Sequence, residues 1–115
     1  MELTELERDI LTDMADDSHG VGELVGYIRS RAPTASNEVI FDRLRSLLSS
    51  WIGRGWLELG APPRPRAGLE SIGELLKWLD QQGPPVVGLG STVLMPEVNL
   101  SNRTVDDLPW LRGTV

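Results

Sequence analysis

A chain of 115 residues, 40% hydrophobic and free of cysteine, can bury one core but not two. The missing thiols exclude disulfides, thiolate metal sites and cysteine nucleophiles. The net charge of −6 is uneven: eight acids against Arg8 leave −7 over residues 1–27, seven arginines against three acids leave +4 over 28–66, and residues 67–115 carry −3. Such a dipolar surface favours a basic partner at the acidic end. No apolar run approaches the roughly 18 residues that cross a bilayer. The start, MELTELERD, is acidic where a secretion signal is basic, so a cytoplasmic location is expected, and the sequons Asn99-Leu100-Ser101 and Asn102-Arg103-Thr104 read as chance matches.

The first helix is expected over about residues 4–16. Leu3, Leu6, Ile10 and Met14 share one face, Leu11 flanks it, and acids line the other side. Thr4 followed by Glu7 has the spacing of a capping box, and Asp17-Ser18-His19-Gly20 ends the helix. A second helix, about Gly22–Arg31, turns Val21, Leu24, Val25 and Ile28 inward and stops before Pro33. Ser36 is placed to cap a third helix in which Ile40, Leu44, Leu47, Leu48 and Trp51 lie on one side, with Phe41 and Ile52 at its margin. Gly53-Arg54-Gly55 releases that helix into a strand, Trp56–Leu59.

A partner strand is expected at Ser91–Val98, where Pro96 restricts it to an edge or a strand end. Between the two strands lie about 30 residues where a hairpin loop takes two to five. They comprise the linker APPRPRAG, a fourth amphipathic helix over about Leu69–Gln82 with Leu69, Ile72, Leu75, Leu76 and Leu79 inward, and the loop Gly83-Pro84-Pro85 with Gly88-Leu89-Gly90. The expected organisation is one domain over residues 1–98, with 60–90 as an insert, and a C-terminal tail over 99–115 in which no period is visible.

Three helices, a strand, an insert and a second strand resemble a winged-helix domain. The matching residues are Ile40, Leu44, Leu47 and Leu48, the turn Gly53-Arg54-Gly55 and the strand Trp56–Leu59; the phrase LRSLLSSWIGRGWLEL is similar to the junction of last helix and wing in that superfamily. The resemblance covers about residues 3–60 plus the second strand, and the helical insert departs from a simple wing. It implies an α+β fold of three N-terminal helices and a two-stranded hairpin with an extra helix in the wing. It also implies a third helix lying in a DNA major groove.

The charges do not match that ligand. Opposite its apolar face the third helix presents Glu38, Asp42, Arg45, Ser46 and Ser49, with Arg43 and Ser50 beside them, so two carboxylates oppose two arginines where duplex affinity depends on net cationic contact. The nucleic-acid alternative therefore rests on Arg43, Arg45, Arg54, Arg64 and Arg66, of which Arg64-Pro65-Arg66 also reads as a solvated connector. Asp9, Asp13, Asp16 and Asp17 crowd about two turns, a repulsive spacing on a helix that an external basic partner would relieve; their other reading is an ordinary solvated face. Trp51 and Trp56 are expected in the core. Trp78 and Trp110 are either exposed binding anchors or packed under the tail, and Tyr27 either joins a surface or completes the core.

His19 is the sole histidine, and the neighbouring Asp16, Asp17 and Ser18 supply triad residue types at a local spacing that triads do not use. Gly88–Thr92 lacks the lysine of a phosphate loop, and no EF-hand spacing occurs. The expectation is a non-catalytic binding protein with no cofactor and no metal. Its partner is another protein with a basic surface, in the manner of an immunity protein or antitoxin or as an accessory subunit, with homodimerisation as a further option. The alternative is a DNA-binding regulator.

Overall fold

The computed structural model describes residues 3–88 and 95–114. The order is α1 (Glu5–Met14), β1 (His19–Gly20), α2 (Val21–Arg31), α3 (Asn37–Gly53), β2 (Leu57–Leu59), α4 (Leu75–Gln82), β3 (Glu97–Leu100) and α5 (Asn102–Asp107), with 3-10 turns at Ile72–Glu74, Pro84–Gly88 and Pro109–Thr114. The fold is α+β. No described helix is long and apolar enough to cross a membrane.

The first three helices form where hydrophobic period and caps agree. Thr4 Oγ1 accepts from the Glu7 amide at 3.1 Å while the Thr4 amide donates to the Glu7 carboxylate at 3.2 Å, closing the capping box of α1. Ser36 Oγ accepts from the Val39 amide at 3.3 Å to start α3. Ile10, Leu11 and Met14 of α1, Val21, Leu24, Val25 and Ile28 of α2, and Ile40, Phe41, Leu44, Leu48 and Trp51 of α3 are buried. They build the common core.

The sheet differs from the expected two-stranded hairpin. It has three antiparallel strands in the order β1-β3-β2. His19 pairs with Val98 and Gly20 with Glu97 on one side of β3, while Leu57, Glu58 and Leu59 pair with Leu100, Asn99 and Val98 on the other. Two residues are too few to show an alternating pattern, so β1 carries no signal of its own; β3 recruits it, and the Val21 amide donates to the Pro96 carbonyl at 3.0 Å just beyond. The described strand β3 begins at Glu97, after Pro96, and not at Ser91; residues 91–94 of the expected strand, and Leu89 and Gly90 of the loop before it, lie outside the described residues.

The insert between β2 and β3 is α-helical from Leu75, after the 3-10 turn Ile72–Glu74, where sequence periodicity starts the helix near Leu69. The Glu74 carboxylate accepts from the amides of Glu70 and Ser71 at 2.9 and 3.1 Å, satisfying donors outside the helix and fixing a turn there. Leu75 and Leu79 are fully buried, and the following turn presses Val86 and Val87 into the core beside α3. Before the helix, the linker runs along the sheet: the Gly60 amide donates to Glu97 O and the Glu97 amide to Pro65 O, both at 2.8 Å.

β3 crosses the boundary drawn after Val98, and the segment beyond it folds onto the same body. Thr104, Leu108 and Leu111 are buried. α5 has six residues, under two turns, which is why its period is invisible in the sequence.

Two glycines separate backbone need from convenience. Gly55 holds φ +76° at the exit of α3, whereas Gly26 sits in mid-α2 with nothing within 4 Å of an added Cβ. Gly55→Ala is expected to destabilise by about 1–2 kcal/mol, and Gly26→Ala to stabilise by about 0.5–1 kcal/mol. Urea unfolding of the two variants reads the opposite signs.

Candidate functional site

The acids of α1 are largely answered from within the chain. Arg31 of α2 pairs with Asp9 and lies 3.6 Å from Glu5. The Tyr27 hydroxyl donates to Asp13, and Arg64 of the linker reaches Asp17 at 3.2 Å. Asp16 is exposed and has no side-chain partner among the described residues. The crowding that suggested an external counterion is thus relieved for three of the four candidate aspartates by groups 14 to 47 residues away. Those distant groups are what helical spacing cannot show.

Tyr27 registers this field. Its hydrogen bond to Asp13, then burial, then the charges of Asp13, Glu23 and Asp9 push its pKa up to about 12. His19 stacks on the Tyr27 ring at 6.1 Å and 20°. It is buried in β1. Its Nε2 lies 3.9 Å from the Glu23 carboxylate, and its Nδ1 is buried without a hydrogen bond. Ser18 Oγ instead lies 3.5 Å from Glu97, so Ser18 and His19 face different groups.

The five candidate arginines are not gathered into one patch. Both carboxylate oxygens of Asp80 of α4 accept from one edge of the Arg45 guanidinium, from Nε at 2.6 Å and from Nη2 at 2.9 Å. This bidentate pairing lowers the pKa of Asp80 and raises that of Arg45. Arg64 is shared between Asp17 and Glu97, the latter at 3.8 Å. Arg54 donates to Ser50 Oγ at 3.3 Å and lies 5.2 Å from the Trp56 ring centroid. Arg66 is half-buried, its Nε without a hydrogen-bond partner. Arg43 is exposed on α3 beside Glu38, Asp42, Ser46 and Ser49, and it borders an apolar groove with Leu6, Ile28 and Leu47.

Trp51 and Trp56 are fully buried, with ring centroids 6.4 Å apart. Trp51 Nε1 donates to Glu7 at 3.1 Å and Trp56 Nε1 to Asp107 at 2.9 Å. The second bond holds Asp107 below the usual carboxylate range, with Arg103 adding to the shift. Trp78 and Trp110 are half-buried against the core, and Arg8 lies 5.2 Å from the Trp110 ring centroid. Neither is an open anchor.

A cleft of about 630 Å³ lies between the C-terminal end of α1, the sheet, the linker and α5. Asp16, Asp17, Ser18, Glu58, Arg64, Asn99, Ser101 and Asn102 supply polar groups, and Met14, Pro62, Pro63, Leu100, Val105 and Leu111 supply apolar surface. Glu58 and Asn99 are direct cross-strand neighbours. Sequence reasoning missed both as site residues. The exposed Glu58 between the buried Leu57 and Leu59 was the available signal, since alternation places it on the outer face. No family model matches the chain, and no curated protein or solved structure is detectably similar to it.

Tyr27 is the only tyrosine, so tyrosinate absorbance reports it alone. It is expected to titrate near 12 in the native protein, and Asp13→Asn to bring it back toward the ordinary value of about 10. Because the folded pKa lies above the unfolded one, the stability linked to this group is complete below about pH 10 and is lost as the pH rises toward 12. Stability curves for the parent and Asp13→Asn should therefore converge across that interval.

Proposed function

We propose that this chain is a non-catalytic binding module of winged-helix type that engages a partner protein with a basic surface. The element order α1-β1-α2-α3-β2-β3, the sheet order β1-β3-β2 and the helix inserted between β2 and β3 support the winged-helix reading. On that reading α3 is the counterpart of a recognition helix.

The observation that carries the ligand class is the Arg45–Asp80 pair. It joins the insert to α3 and removes one of the two arginines that face would offer to phosphates. Arg43 then stands among Glu38 and Asp42, and this mixed face provides little counterion release. By contrast, Asp16 and Glu58 keep uncompensated carboxylates at a cleft. A partner of opposite sign gains both steering and register from such groups. Neutralisation of a basic toxin, as by an immunity protein or antitoxin, is the most concrete form of this activity; a cytoplasmic setting accords with it.

Anisotropy with labelled duplex DNA between about 50 and 200 mM salt is expected to show no saturable binding. In parallel, the tagged chain expressed in its source cells is expected to retain one stoichiometric basic protein, identified by mass spectrometry and released as salt approaches about 1 M, where screening reaches a few ångströms. Tight duplex binding with a steep salt slope, abolished by Arg43→Ala, would establish the DNA-regulator alternative. A captured partner that is acidic, or held unchanged in high salt, would also overturn the basic-partner reading.

A further inference from the structure

The cleft has a composition that selects among basic ligands. Its apolar lining includes Leu100, Val105 and Leu111, and its polar lining includes Asp16, Glu58 and Asn99. Two other carboxylates on this side, Asp17 and Glu97, share Arg64. The carboxylates of Asp16 and Glu58 have no hydrogen-bond or ion-pair partner among the described residues. At about 630 Å³ the cleft falls within the range of roughly 300–1,000 Å³ typical of ligand sites, so it has room for a peptide segment and not merely an ion.

We propose that this cleft receives an arginine of the partner protein, flanked by an apolar residue. The flanking side chain and the methylene stem lie on Leu100, Val105 and Leu111, and the guanidinium sits among Asp16, Glu58 and Asn99. The proposal rests on the protein-partner reading above and gives it a location. A guanidinium fits better than an ammonium for two physical reasons. It presents five donors in a planar fork, which can serve several acceptors from one position, and it is more weakly hydrated, so it enters a part-apolar cleft at lower cost. Phosphate-bearing ligands are opposed by the two unpaired carboxylates.

The test uses the full chain and a fluorescein-labelled peptide of alternating leucine and arginine, read by anisotropy. A second peptide carries citrulline in place of arginine, keeping the shape and removing the charge. The arginine peptide should bind at least ten-fold more tightly than the citrulline peptide. Asp16→Asn/Glu58→Gln should weaken the arginine peptide at least ten-fold, while the charge-matched control Glu38→Gln/Asp42→Asn on α3 should stay within two-fold of the parent. Amide shift mapping of the unmutated chain with N-acetyl-arginine amide gives a readout independent of variant folding, with perturbations expected at Asp16, Glu58 and Leu100.

Equal binding of the two peptides, no loss in the cleft variant, or shifts centred elsewhere would overturn the proposal. If only the α3 control loses affinity, the cleft assignment falls while recognition of a basic partner stands. If the arginine peptide does not bind at all, the cleft assignment falls, and the broader reading is decided by the capture experiment, which does not depend on the cleft.

Discussion

Two buried indoles at the exit of α3 tie together parts of the chain that lie far apart in sequence. Trp51 closes the last turns of the helix and Trp56 opens the strand, and between them the chain must reverse through Gly55. Each buried indole N–H requires an acceptor. One is Glu7 in the first turns of α1, and the other is Asp107 at the end of α5. The Trp56 carbonyl accepts from the Ser101 amide at 2.7 Å and from Thr104 Oγ1 at 2.6 Å, while Ser101 Oγ donates to Gly55 O. Truncating a buried tryptophan costs about 3–5 kcal/mol, against about 1 kcal/mol for a helix cap. Packing around this pair, more than any cap, therefore fixes where the two ends of the fold sit.

That constraint has electrostatic consequences. With α1 held against α3 through Glu7, its acids come within reach of α2 and the linker, and Arg31, Tyr27 and Arg64 answer them. With the insert packed through Leu75, Leu79, Val86 and Val87, Asp80 reaches Arg45. A charge map drawn along the sequence shows an acidic block followed by a basic one. Folding pairs members of the two blocks, and the side chains left without an ion pair among the described residues include Asp16, Glu58, Glu38, Asp42 and Arg43.

The helices were legible because their information is local. The 3.6-residue period selected the buried faces of α1, α2 and α3, and Thr4 and Ser36 marked two of their starts. The Gly53-Arg54-Gly55-Trp56 exit was legible for the same reason. What stayed hidden depends on partners distant in sequence: β1 exists through its pairing with Val98 and Glu97, and the fate of the acids in and just after α1 depends on residues up to 47 positions away. The tail looked featureless because its apolar residues, Leu108 and Leu111, follow a helix too short for a period and are brought inward by Trp56. The start of α4 was misplaced because the Glu74 side chain favours a turn over one more helical turn.

The cleft lies in this blind region. Its walls come from the end of α1, from β2 and β3, from the linker and from α5, segments brought together only in the folded chain. The Trp56–Asp107 and Trp56–Thr104 bonds set α5 against the sheet, and antiparallel register sets Glu58 opposite Asn99. Asp16 stays free because the chain turns away after α1 to form β1, while its neighbour Asp17 is taken by Arg64. Gly55 turns the chain from α3 into β2, where strand alternation puts Glu58 on the face opposite Leu57 and Leu59 and at the cleft. The exposed face of α3 is partly neutralised by the insert through the Arg45–Asp80 pair, while the carboxylates of Asp16 and Glu58 remain unpaired at the cleft.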